Sequence, residues 1–237
     1  MKHAKRHPLI FGTIILTATG LITRVIGFFY RIYLSRLFGE EGMGIYQLLS
    51  PALSLSFSLT AAGYQTAISK YVAADSAKRP SGNLKPLLAG TSITLPLSLV
   101  TNAILFFSAD PIGIFLLKDH RTVPMLRILS FSVPFAALHA CINGYFYGKK
   151  KASVPALTQL LEQLARVSCV FLVTGADLAE GRTPSINAAV LGLTVGEIFS
   201  MLIALVCLYI HLYPDSSILS LQNICPSVPV YRDLLGM

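Results

Sequence analysis

Long uncharged runs recur along this chain. Glu41 and Lys70 bracket 28 residues free of Asp, Glu, Lys and Arg; Lys85 and Asp110 bracket 24; Arg127 and Lys149 bracket 21. A helix rises about 1.5 Å per residue and a bilayer core is about 30 Å thick, so about 20 residues suffice to cross it. All three runs meet that length. Further apolar stretches interrupted by isolated charges extend the pattern to six predicted spans, at 8–35, 44–69, 86–109, 123–147, 153–175 and 186–210. The runs lack the period-two alternation of barrel strands. Helices also satisfy their own backbone polar groups in lipid. The expected fold class is all-α, a polytopic membrane protein built as a six-helix bundle. Pro51, Pro96 and Pro134 fall inside spans and are expected to kink them.

Composition agrees. The 237 residues are 54% hydrophobic and 13% charged, with a mean hydropathy of +0.65. Soluble domains carry about 25% charged residues, too many for lipid and about right for water. The formal net charge is +8, but its distribution follows the spans. Segments 1–7, 70–85 and 149–151 hold ten Lys or Arg, whereas 36–43, 110–122 and 176–185 hold four. The two sets alternate, which places the N-terminus in the cytoplasm. Lys149, Lys150 and Lys151 then anchor a cytoplasmic loop among membrane lipids. Basic residues separated by apolar runs, with no aromatic-basic module, exclude a nucleic-acid partner.

The basic segment Met1–His7 precedes an apolar run, as in a signal peptide. The helical pattern continues to about Ser35, too long for a cleaved leader, so an uncleaved first span is expected. Cys141, Cys169, Cys207 and Cys225 show no CxxC spacing and read as small hydrophobes. No zinc or haem pattern is present, and no cofactor is expected. The stretch 211–237, with Pro214, Pro226 and Pro229, reads as a cytoplasmic interfacial connector that breaks off before a further domain.

Charges inside the spans carry the functional signal, because each costs several kcal/mol in lipid unless it faces protein or water. Arg24 and Arg31 lie seven residues apart, about two helical turns, on one face of the first span. Gly20 and Gly27 form a neighbouring strip for close helix approach. The fifth span carries Glu162 and Arg166 at i, i+4, flanked by Gln159 and Gln163. They form an intrahelical pair, a lumen lining, or both. Glu197, near the middle of the sixth span, reads as a partner for Arg24 or Arg166, or as a proton or cation site. His139 and Asn143 on the fourth span sit four apart, where a lone His most simply makes packing hydrogen bonds. Three Arg against two Glu make the expected interior net positive. That favours an anionic cargo, because the guanidinium fork makes bidentate bonds to phosphate.

The stretch Cys141-Ile-Asn-Gly-Tyr-Phe-Tyr-Gly-Lys-Lys-Lys, followed by Val154-Pro-Ala-Leu-Thr-Gln-Leu-Leu-Glu-Gln-Leu-Ala-Arg166, resembles the stage V sporulation protein B family. So do Thr23-Arg24-Val-Ile-Gly27, Ser35-Arg36-Leu-Phe-Gly39, Gly42-Met-Gly44-Ile-Tyr46 and Ala62-Gly63-Tyr-Gln-Thr-Ala-Ile-Ser-Lys70. That family belongs to the multidrug/oligosaccharidyl-lipid/polysaccharide exporter superfamily. The resemblance implies one six-helix lobe of a MATE-like flippase in a bacterial cell membrane, with a second six-helix lobe missing from this chain. It implies a transporter, not an enzyme. The expected cargo is an undecaprenyl-diphosphate-linked saccharide for spore cortex peptidoglycan, moved by alternating access. The resemblance implies Arg24 as a diphosphate contact in a cationic cavity; Arg166, Arg31, Gln159 and Gln163 are expected as further cavity residues from their positions in the spans. Glu162 and Glu197 are expected to balance charge or couple transport to an ion. The alternatives are a cation-coupled multidrug exporter, in which acidic residues would dominate the cavity, and a structural or inert fragment.

Overall fold

The computed structural model describes residues 8–78 and 84–212. Among them the fold is all-α, with no strand. The predicted connector beyond Leu212, its prolines and Cys225 lie outside the described residues, as does the basic segment 1–7.

The first helix, α1 (Pro8–Leu48), runs past the expected boundary at residue 35. Its backbone breaks at Gly39, with φ +70° and ψ −177°. That conformation is essentially restricted to glycine. After Leu49 come α2 (Ser50–Phe57), a wider turn at Ser58–Ala62 with i→i+5 bonding, and α3 (Gly63–Lys78). Pro51 stands in the first turn of α2, where a missing N–H costs nothing, so the break falls just before it rather than at it. Helix α4 (Lys85–Phe107) holds Pro96 within one element. A short turn, α5 (Ala109–Pro111), and another wide turn at Ile112–Leu116 follow. The fourth predicted span is divided into α6 (Thr122–Ser130) and α7 (Ser132–Gly148), separated just ahead of Pro134. The last two are α8 (Ser153–Ala179) and α9 (Asn187–Leu212).

Among the described residues, five helical stretches are long and apolar enough to cross a membrane. One of them, Gly12–Asp75, is 64 residues long, about three times what one crossing needs. Gly39 divides it. The chain is a multi-pass membrane protein.

Helix α7 is the centre of the bundle and packs against α3, α4 and α9; α9 packs on α8, and α8 on α1. Most α7 residues are buried, among them Ile142, Tyr145 and Phe146, which join Ile68, Val72, Leu87 and Ala204 in one core. Lipid tails are as apolar as leucine, so tight packing must hold such helices together. Gly144 supplies it: a Cβ there would stand 2.6 Å from the Gln65 carbonyl oxygen of α3. A second core joins Ile45 and Leu49 to Met125, Leu126 and Leu129 of α6 and Val190 of α9. Outer surfaces carry Leu21, Phe28 and Phe29 on α1 and Leu88, Ile104 and Phe107 on α4, as lipid contact requires.

Candidate functional site

Helix α8 presents Glu162, Gln163 and Arg166 within little more than one turn. The Arg166 guanidinium donates to the Glu162 carboxylate in a close ion pair and, at 3.4 Å, to Gln163 Oε1. Both charged side chains are more than four-fifths buried. Arg166 Nε is also buried and has no hydrogen-bond partner. The intrahelical pair expected from the spacing therefore forms, yet leaves part of the guanidinium unused.

Helix α1 covers this region from one side. Tyr33 Oη lies 2.8 Å from Thr174 Oγ1, and its ring stacks on Phe171 at 4.1 Å between centroids. Gln163 lies over Gly27. Tyr30 is buried, its hydroxyl unpartnered and close enough to Arg166 to feel its charge. Arg31 and Arg166 both act electrostatically on the Tyr46 hydroxyl.

Arg24 and Arg31 are exposed, as is Gln159. Both arginines lie about 50° round α1 from Gly27, so they border the α1–α8 seam from its open side. The basic surplus lies along the exposed edge of α1, whereas the buried group holds Arg166 with two carboxylates.

The second carboxylate is Glu197 on α9. Its ion-pair neighbour is His139 of α7, with Nδ1 3.6 Å from Glu197 Oε2, rather than Arg24 or Arg166. His139 is buried and richly bonded. Its Nε2 lies 2.8 Å from Asn143 Nδ2, 2.9 Å from Ser200 Oγ and 3.2 Å from Thr158 Oγ1. His139, Glu162 and Glu197 offer three ligand-type atoms all within 4.8 Å of one another. Arg166 already holds Glu162, and its positive charge opposes a divalent ion there. The i, i+4 spacing of His139 and Asn143 marked their common face; nothing in the linear sequence marked Thr158 and Ser200, whose role comes from helix rotation.

Residues 9–230 match the family described as polysaccharide biosynthesis protein. The chain belongs to that family. Stage V sporulation protein B of Bacillus subtilis is 36% identical over 197 residues, 83% of this chain and 38% of that relative. Lipid II flippase MurJ of Bacillus subtilis is 27% identical over 179 residues, covering 72% and 32%. Sporulation protein YkvU of the same organism is 25% identical, covering 68% and 35%. The matched region thus spans less than two fifths of each of these family relatives. No solved structure matches the chain.

Proposed function

We propose that this chain is a transport lobe of a flippase. It moves a lipid-linked peptidoglycan or polysaccharide precursor across the cytoplasmic membrane of a bacterium, for spore cortex synthesis. The observation that carries this reading is the ladder of cations along the α1–α8 seam. Arg24 and Arg31 stand exposed at its edge, and Arg166 stands buried behind it with an unused Nε. Guanidinium groups at that depth suit a diphosphate head, which they bind by paired charge-assisted bonds. Similarity to a lipid II flippase and to a stage V sporulation protein supports the same cargo class.

In this reading Arg24 and Arg31 receive the diphosphate, Arg166 takes it deeper, and Gln159 and Gln163 bond the saccharide. The lipid tails stay among the apolar helices. Glu162 and Glu197 balance charge. No covalent bond is made or broken, so no nucleophile or cofactor is required. The stretch Gly12–Asp75 crosses twice, giving six spans with a cytoplasmic N-terminus, and the lobe rocks against a second helical lobe around the bound head.

The test is complementation of a spore-forming strain lacking its corresponding gene, using the full-length protein with Arg24→Ala. Loss of cortex at normal protein level is expected. Normal cortex at normal level removes Arg24 from the mechanism.

A further inference from the structure

Away from the α1–α8 seam, helices α4, α7 and α9 bound an apolar groove of about 550 Å³. Leu87 and Ile142, both buried, form its base, and Leu88 and Leu95, both exposed, form its rim. Leu138 and Leu208 line its sides. Thr91 and Ser92 also face it, but each hydroxyl donates to a carbonyl of its own helix. The groove therefore suits a hydrocarbon chain and not a sugar.

Its depth matches one leaflet. From Leu87 to Leu95 it follows a step of eight residues along α4, about 12 Å at about 1.5 Å per residue. One leaflet of the hydrocarbon core is about 15 Å thick, half of about 30 Å. The groove begins at the end of the bundle where α4 starts and α9 finishes, since Leu87 lies in the first turn of α4 and Leu208 in the last turns of α9.

That end is basic. Lys85 stands three residues before Leu88 and seven before Ser92, so it continues the rim stripe, and it is exposed. On α9, His211 follows Leu208 by three residues. Lys151 Nζ lies 3.0 Å from His211 Nδ1. An ammonium that donates to an imidazole nitrogen keeps its own charge and holds the ring neutral. Lys149 Nζ stands 5.9 Å from the Tyr145 ring centroid, and that ring lies beside His211. Asp75 of α3 acts electrostatically on Lys149. Among the described residues, lysines outnumber carboxylates at this end. At the other end Glu41, Asp119, Asp110 and Glu180 each pair with an arginine.

We propose that the groove holds one acyl chain of an anionic phospholipid, with the lipid phosphate at its mouth on Lys85 and Lys151. The tail fills the apolar cleft, and the two ammonium groups meet the phosphate at the leaflet surface. A lysine reaches that surface while its stem lies along apolar side chains. A zwitterionic lipid carries an ammonium of its own, which these lysines repel, so the site selects an anionic head. The inference requires only that the helices span a membrane. It is independent of the cargo and of Arg24.

The experiment is native mass spectrometry of the purified protein, delipidated in detergent and offered phosphatidylglycerol or phosphatidylcholine with identical chains. Phosphatidylglycerol is expected to bind more tightly, with one lipid retained. Lys85→Gln and Lys151→Gln are each expected to weaken it about fivefold, the worth of one lysine near an anionic headgroup, and to leave phosphatidylcholine unchanged. Lys118→Gln, beside Asp119 at the other end, is expected to change neither. Ser92→Phe fills the groove and is expected to weaken both lipids. Should that variant fail to fold, phosphatidylglycerol with a photoreactive acyl chain takes its place, and its label must fall within 87–95, 138–142 and 205–208. Equal affinity of the wild type for the two lipids overturns the proposal. So does phosphatidylglycerol binding that both lysine variants leave unchanged. Labels spread over all the helices, or a dimer that shields the groove from labelling, overturn it as well.

Discussion

Gly196 of α9 lies directly against Glu162 of α8: a Cβ on Gly196 would stand 3.2 Å from the Glu162 carbonyl oxygen and 3.5 Å from its Cγ. The two helices approach so closely because no side chain intervenes. The same approach brings Glu197, the next residue, beside Glu162 and His139. A glycine in α9 thus sets the spacing of the charged group.

Gly196→Leu is therefore expected to force α8 and α9 apart. Overpacking costs about 1–3 kcal/mol, enough to lower the thermal midpoint measurably. Cys141 is a buried thiol, so a thiol-reactive fluorophore reports unfolding in detergent. Gly20→Ala is the control, because nothing lies within 4 Å of its added Cβ. It should be neutral or slightly stabilising, since alanine is the better helix former. Equal midpoints for Gly196→Leu and wild type would show that the α8–α9 contact yields freely.

Arg166 and Glu162 should behave as a unit. Arg166→Leu alone leaves Glu162 buried without its cation. Breaking a buried pair costs about 3–5 kcal/mol, whereas replacing both members is often close to neutral. The double variant Arg166→Leu/Glu162→Leu is expected to regain most of the lost thermal stability. If the double variant is as unstable as the single one, the Glu162 charge is not what makes Arg166 necessary for folding.

The loop between α5 and α6 offers a pH test away from the spans. Asp119 accepts hydrogen bonds from the Arg121 backbone N–H and side chain, at 2.9 and 3.2 Å, and Arg121 also bonds Glu41. These bonds hold the Asp119 carboxyl below its ordinary value and raise Arg121. A carboxylate whose pKa is lower folded than unfolded stabilises above its unfolded pKa, about 3.9. That contribution fades as pH falls through the folded value. Asp119→Asn should therefore lower the thermal midpoint at neutral pH, with the gap to wild type closing in acid. A gap that persists unchanged in acid would show that the carboxylate charge is not its source. The Arg121 partner is exposed, so solvent screening keeps the effect small.

The solvent of this protein was legible in its sequence. Hydropathy is a property of consecutive residues, so uncharged runs of 21 to 28 residues announce lipid without any tertiary information. The same holds for the presence of Arg24, Glu162, Arg166 and Glu197 in apolar segments, and for the Glu162–Arg166 pair, whose spacing a single helix imposes. Which charges meet across helices is a different matter. Glu197 faces His139 and not an arginine, and Arg24 and Arg31 border a seam rather than fill a common chamber, because helix rotation and packing order decide these contacts. Both depend on small residues that let particular helices touch, such as Gly196 against α8 and Gly144 against α3. Likewise Gly39 could be seen in the sequence as a glycine, but only its positive φ shows that it divides one long apolar helix. Local composition specifies which side chains must be sheltered from lipid; only the packed bundle determines which partner does the sheltering.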